Sequence, residues 1–218
     1  MTAGRCLAFE CVARTASACV VEDGREVAYA DLGGGEAEAG LITLLDRLLR
    51  EHGPVQALAV AEGPGSFTGL RIAAVAARTL AWLEGVPVHA VDSLTALALE
   101  RGDGLWAPLL PLKKDTTFAA VIRVSNGAAE ILRPTTAILD ATDPALPPEA
   151  VGIGPALTTK PDLAARWCRV LGDPAPLSAR GVARAARLTD PRPWSSVLPA
   201  YHQKPAPVLQ REAALTQA

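Results

Sequence analysis

The chain has 218 residues and a formal net charge of −2; half of the residues are hydrophobic and a fifth are charged. That is enough chain to bury a core in one large domain or two small ones, and the composition excludes a disordered polymer. The near-neutral balance excludes a protein whose whole surface binds nucleic acid, and 4% aromatic content leaves the core to Ala, Val, Leu and Ile.

Segments 6–9, 15–21 and 26–32 are short and apolar or β-prone, and Glu22-Asp23-Gly24-Arg25 predicts a tight hairpin turn between the last two. A helix is predicted over 36–52, stopped by Gly53-Pro54. A strand at 55–61, a helix at 67–84, a strand at 86–91 and a helix from 93 to about 100, capped by Asp92 or Ser93, complete the first half. This order specifies a mixed α/β sheet with helical crossovers. Farther on, 106–112, 116–125 and 129–136 read as strands, with Asn126-Gly127 as a hairpin turn, and 161–171 and 179–189 read as helices.

Charge is divided along the chain. Residues 1–100 carry 7 Arg and 13 acidic residues, a net of −6; residues 101–218 carry 14 basic and 10 acidic residues, a net of +4. With the turn-rich Arg101-Gly102-Asp103-Gly104, this predicts two lobes, 1–102 and 103–218, the second smaller and ending in a Pro- and Gly-rich extended tail over 191–207. Cys6, Cys11, Cys19 and Cys168 form no C-x-x-C pair and read as buried free thiols, which fits a reducing, cytoplasmic setting. No signal peptide is expected, and the apolar stretch 72–83 is too short to span a bilayer.

Two helices carry more apolar surface than one buried face needs. At about 100° per residue, Leu41, Ile42, Leu44, Leu45, Leu48 and Leu49 fill an arc of roughly 160°, against about 100° for a single buried stripe. The helix at 67–84 is apolar nearly all round, with only Arg71 and Arg78 marking a polar stripe. Part of these helices is therefore expected to be covered by another chain, the competing reading being cover by the second lobe.

The loop Glu62-Gly63-Pro64-Gly65-Ser66-Phe67-Thr68-Gly69-Leu70-Arg71 enters the second of these helices. It is not a P-loop, since Leu70 follows Gly69 where lysine is required, and Thr68 stands where the dinucleotide pattern needs glycine. A helix entry capped by Ser66 or Thr68 and tightly packed at Gly69 is favoured over a phosphate site.

The run GPGSFTGLRIA, followed by an Ala-rich helix and GVPVHAVDSLTALA, resembles the bacterial TsaB/YeaZ family of tRNA threonylcarbamoyladenosine biosynthesis proteins. The resemblance is tightest over 62–97 and extends loosely over about 5–205, through LAFE at 7–10, AVGIGPAL at 150–157, LSARGVARAARL at 177–188 and PAYHQK at 199–204. It implies an α/β, actin-like (ribonuclease-H-like) fold of two similar lobes. It also implies a subunit without catalysis of its own, which pairs with the catalytic subunit TsaD. An ATPase, TsaE, joins the assembly, which moves a threonylcarbamoyl group from its adenylate onto the adenosine beside the anticodon. Such chains also form homodimers through the first two helices of the first lobe. The expected partner face is Leu41, Leu44, Leu45, Leu48, Leu70, Ala73, Ala74, Ala77 and Ala81, beside the loop of Gly63, Gly65, Ser66, Thr68, Gly69 and Arg71. The chain departs from the family where Leu110-Pro111-Leu112-Lys113-Lys114-Asp115 replaces Asp-Ala-Arg, where Glu10 replaces an aspartate, and where His202-Gln203 follows Tyr201.

No catalytic residue, metal site or cofactor is expected. His52, His89 and His202 are far apart and form no H-x-x-x-H pair, and Ser66 is not in a G-x-S-x-G elbow. Glu10 and Asp92 read as hydrogen-bonding or capping residues. Arg180, Arg184 and Arg187 make a basic stretch that reads as a solvated helix face, with tRNA contact within the complex as the alternative. The alternative is an independent actin-like ATPase or small-molecule kinase; titration of the isolated chain with ATP and Mg²⁺ separates the two, micromolar binding favouring the kinase.

Overall fold

The computed structural model describes residues 4–13, 15–33 and 37–202. Strands β1 (Arg5–Glu10), β2 (Ala16–Glu22) and β3 (Arg25–Leu32) form an antiparallel meander. On its other side β1 pairs in parallel with β4 (Ala57–Gly63), and β4 pairs in parallel with β5 (Val88–Asp92). The order is β3-β2-β1-β4-β5, with α1 (Ala37–His52) and α2 (Phe67–Glu84) as connections and α3 (Ser93–Arg101) leading out of β5.

The second sheet has β6 (Gly104–Lys113), β7 (Thr116–Ser125), β8 (Ala128–Leu139), β9 (Val151–Ile153) and β10 (Val170–Leu171), in the order β10-β9-β6-β7-β8. Its pairings are antiparallel within β6-β7-β8 and parallel within β6-β9-β10, so the second sheet repeats the first strand for strand. The helices α4 (Ala156–Thr159), α5 (Pro161–Trp167) and α6 (Ala179–Ala186) complete the fold.

Alternation along the strands sorts the core into layers. Leu7 and Phe9 of β1, with Leu58 and Val60 of β4, pack under α1 and α2. Cys6 and Ala8, one residue out of phase, face α3 and α6, which also meet Leu110, Phe118, Ala120 and Ile122 of the second sheet. The far side of the second sheet packs on Leu163, Ala164 and Trp167 of α5. The architecture is thus helices, sheet, helices, sheet, helices. From α6 onward the chain returns to the first sheet: Arg192 bridges to Val88, Val197 is buried with α2, and the Ala200 amide donates to the Glu62 carbonyl at 2.7 Å.

The predicted helix at 161–171 ends at Trp167 and is followed by β10, and the stretch at 150–157 that carries part of the resemblance contains β9. Such short strands carry too few residues for periodicity to register. Gly152 is needed in β9 because a Cβ there would lie 2.8 Å from the Cys168 sulfur.

The central layer is held by a buried polar chain. Ser17 Oγ donates to Glu10 Oε1 at 2.7 Å and accepts from the Ala179 amide at 2.8 Å, while the Val12 amide donates to Glu10 Oε2 at 3.0 Å. Glu100 of α3 accepts from the Ser178 amide, and Ser178 caps α6. Burial pushes the Glu10 carboxyl up to about 7; the nearby Glu100 charge adds to the rise, and the bonds from Ser17 and Val12 offset part of it. The folded chain therefore holds this proton where the unfolded chain has released it. The stability contributed is complete below about pH 4.5 and is lost as pH rises through about 7. Urea unfolding of Glu10→Gln against the parent, from pH 5 to 8, is expected to remove about 3 kcal/mol of pH-dependent stability.

Candidate functional site

The loop after β4 is built around the chain's own backbone. Ser66 is the cap of α2, its Oγ accepting from the Gly69 amide at 3.3 Å, and Thr68 is exposed. A Cβ on Gly69 would sit 1.9 Å from the Cys11 carbonyl oxygen, and one on Gly65 would sit 2.7 Å from Val12. The Ser66 amide donates to the Val12 carbonyl at 2.8 Å. Gly63 has φ +137°, and a Cβ there would meet the Ala200 carbonyl at 2.5 Å. The glycines thus admit the β1–β2 connection on one side and the returning segment on the other. The other end of α2 is closed by Gly85 in the left-handed conformation.

The structure corrects the expected partner face. Leu41, Leu44, Leu45, Leu48, Leu70, Ala73, Ala74, Ala77 and Ala81 are all buried within this chain, beneath the two helices. The side chains that face outward are Ile42 on α1 and Phe67, Val75, Trp82 and Leu83 on α2, with Leu49, Ile72 and Leu80 half-buried. Ile42 and Leu49 sit at the edge of the α1 arc and are the excess over a single buried stripe. In α2 the usual distribution is inverted: alanines point inward, while Val75, Trp82 and Leu83 are 62–63% exposed. Apolar content alone could not tell the two sides of such a helix apart; the sizes of the residues and the two arginines could.

The returning segment runs along the flank of α2 away from α1. Trp194 lies with Ala81, Trp82, Val86 and Pro87 around a shallow groove at the C-terminal end of the helix. At the N-terminal end, Tyr201 packs on Phe67 with ring centroids 5.0 Å apart. Arg71 donates to the Tyr201 hydroxyl at 3.1 Å and stacks 3.9 Å over the Phe67 ring, and Arg78 lies 5.8 Å from the Trp194 ring. The pattern that would have revealed this flank is the aromatic spacing of 194 and 201, matched to that of Phe67 and Trp82. Gln203 and Lys204 lie outside the described residues.

The remaining candidates have structural partners. Asp92 caps α3 through the Thr95 amide at 2.8 Å and accepts from the Thr135 hydroxyl at 3.0 Å. His89 is buried with Nδ1 2.9 Å from the Thr189 carbonyl, burial lowering its pKa, and His202 sits 3.9 Å from Asp92. Arg180 forms two bonds to Glu26 and stacks on Tyr29, and Arg184 donates to the Leu99 and Glu100 carbonyls at the end of α3. Arg187 is exposed. All four cysteines are buried thiols, and among the described residues no three His, Cys, Asp or Glu side chains gather as a metal-binding group. No described helix is long and apolar enough to cross a membrane.

Two five-stranded sheets of one topology, with shared helices between them, define an actin-like, ribonuclease-H-like fold. A protein from Pseudomonas aeruginosa with similarity to peptidase YeaZ superposes with a TM-score of 0.80 at 21% identity, over 93% of this chain and 100% of that one. YeaZ from the same organism gives 0.77 at 21% identity, over 90% and 99%. The likeness narrows in sequence to TsaB. The tRNA threonylcarbamoyladenosine biosynthesis protein TsaB of Bacillus subtilis is 38% identical over 79 residues, 35% of this chain and 34% of that protein. The Haemophilus influenzae protein of the same name is 33% identical over 92 residues, 38% and 39% of the respective chains. The matches thus span little more than a third of these relatives' length. A family model described as TsaD, tRNA N6-adenosine threonylcarbamoyltransferase, matches residues 39–144. The resemblance to TsaB/YeaZ carried by the glycine loop is borne out by these relatives.

The Gly69 contact leaves no room for a methyl group against a backbone oxygen. Gly69→Ala is expected to cost at least about 3 kcal/mol, read as a lowered urea midpoint, whereas Thr68→Ala at the exposed neighbour changes stability by less than about 0.5 kcal/mol.

Proposed function

We propose that this chain is the non-catalytic scaffold subunit of a tRNA threonylcarbamoyladenosine-forming complex. Its outer α1–α2 face docks the catalytic subunit TsaD and holds it in its active arrangement. The observation that carries the reading is the inversion of α2, with alanines against the sheet and Val75, Trp82 and Leu83 on the surface. Exposed aromatic and branched residues on one face, with half-buried neighbours on the adjoining helix, are the composition of a protein interface. A contact of about 1,200–2,000 Å² suits a stable pair of this kind. The names of the relatives and the match to a TsaD family model support the same partner.

Support for a role without its own chemistry comes from what occupies the loop and the strand ends. The glycines of the α2 entry are filled by Cys11, Val12 and Ala200, and Glu10 and Asp92 are committed to bonds within the chain. In this reading TsaD carries out the transfer onto the adenosine beside the anticodon, TsaE joins the larger assembly, and tRNA is reached through the complex in the cytoplasm. Alone, the same face closes on a second copy as a twofold dimer.

The expected partner residues being interior, charge placed at Leu45 or Ala74 would break the fold itself. Ile42→Glu and Leu83→Glu instead place an unpaired charge on the exposed face, away from Arg71 and Arg78, costing several kcal/mol at the contact. Each variant is expected to keep its circular dichroism spectrum and thermal midpoint but to lose co-elution with TsaD in gel filtration. Each is also expected to lose stimulation of threonylcarbamoyl transfer. Retained pairing in both variants would refute this face.

A further inference from the structure

The docking face holds two cations whose chemistry goes beyond apolar contact. Arg71 and Arg78 stand seven residues apart on the outer side of α2, about 10.5 Å along the axis. Neither guanidinium has a carboxylate within ion-pair distance among the described residues, although seven other Arg and Lys side chains, such as Arg180 with Glu26, do find one. Each is instead placed by an aromatic ring: Arg71 lies over Phe67 and is tied to the Tyr201 hydroxyl, and Arg78 lies beside Trp194. Stacking fixes a guanidinium plane and leaves its N–H edges to bond elsewhere. Between and beside them stand Val75, Trp82 and Leu83, so a surface that covers the apolar residues also covers the arginines. A buried cation without a counter-ion is costly, so the covering surface must bring carboxylates to this spacing.

Pairing of α2 with α2 of a second copy does not. The middle of α2 falls between Val75 and Ala76; antiparallel pairing about that point sets Arg71 within about 3 Å, along the axis, of Arg78 of the other copy. The only acidic residue α2 brings is Glu84 at its last position. Self-pairing of α2 therefore gathers four cations.

We infer that Arg71 and Arg78 select the partner: they take a helix of a different protein bearing two carboxylates one heptad apart, and they weaken self-association. The inference rests on the docking face proposed above. RNA phosphate is the less suitable occupant, because apolar side chains, without further cations, fill the space between the two arginines.

The test compares the full chain with Arg71→Gln/Arg78→Gln, with Arg71→Lys/Arg78→Lys and with Tyr201→Phe, which loses the tie to the hydroxyl but keeps both charges. Sedimentation velocity measures self-association, and titration calorimetry measures pairing with TsaD from the same source, at 50 and 500 mM NaCl. The glutamine pair is expected to weaken pairing with TsaD at least tenfold and to lose most of its salt dependence, while tightening self-association severalfold. The lysine pair keeps the salt dependence while pairing severalfold more weakly, and Tyr201→Phe stays within about threefold of the parent. Unchanged TsaD affinity in the glutamine pair overturns the inference. So does weakening of both associations together, which would make the arginines mere surface support, and so does loss confined to binding of a tRNA transcript. If the parent chain fails to pair with TsaD at all, the proposed function falls, and the self-association measurement still decides whether the arginines oppose a second copy.

Discussion

The fold depends on how closely α2 can approach the first sheet. Gly69 meets the Cys11 carbonyl at a distance no side chain could share, and Ala73, Ala76, Ala77 and Ala81 continue that low profile along the helix. Small residues at the contact shorten the separation between helix and sheet, and Val75, Trp82 and Leu83 are left on the other side. A close-packed interior thereby produces an apolar exterior. Such an exterior is the composition on which the proposed docking rests.

The second organising feature is the shared layer. α3 and α6 are buried between two sheets that repeat one strand order, so each helix is apolar over most of its circumference. Their polar ends are satisfied internally. Glu100 of α3 holds the cap of α6, and Ser17 passes the Ala179 amide on to Glu10. This chain spends Glu10 and Asp92 on joining its own elements.

Much of the fold could be read from the residues. The turn at Asp23-Gly24, the extent of α2 and the strand at 116–125 all fall where periodicity and turn chemistry put them, and the glycine loop led to the correct relatives. The interface residues were less legible. The 3.6-residue period of α1 located an apolar excess, and the excess is real, at Ile42 and Leu49; but period alone gives no sign for which edge of an arc faces the sheet. In α2 the arc has no edge at all. The basic stretch at 180–187 looked like a solvated face. The structure instead uses Arg180 and Arg184 to fasten α6 to β3 and α3, a long-range pairing that no local pattern encodes. The strands β9 and β10 were missed because two or three residues carry no period.

The segment that returns from α6 has a consequence for the order of events during synthesis. The first sheet, α1 and α2 are complete once residue 92 has been made, yet Val88 still lacks its bridge to Arg192 and Gly63 its contact with Ala200. Tyr201, which fixes Arg71, is among the last of the described residues to leave the ribosome. A nascent chain therefore displays the apolar ridge long before the arginines beside it are set. The returning segment thus sets the arginines only after the ridge beside them has been made.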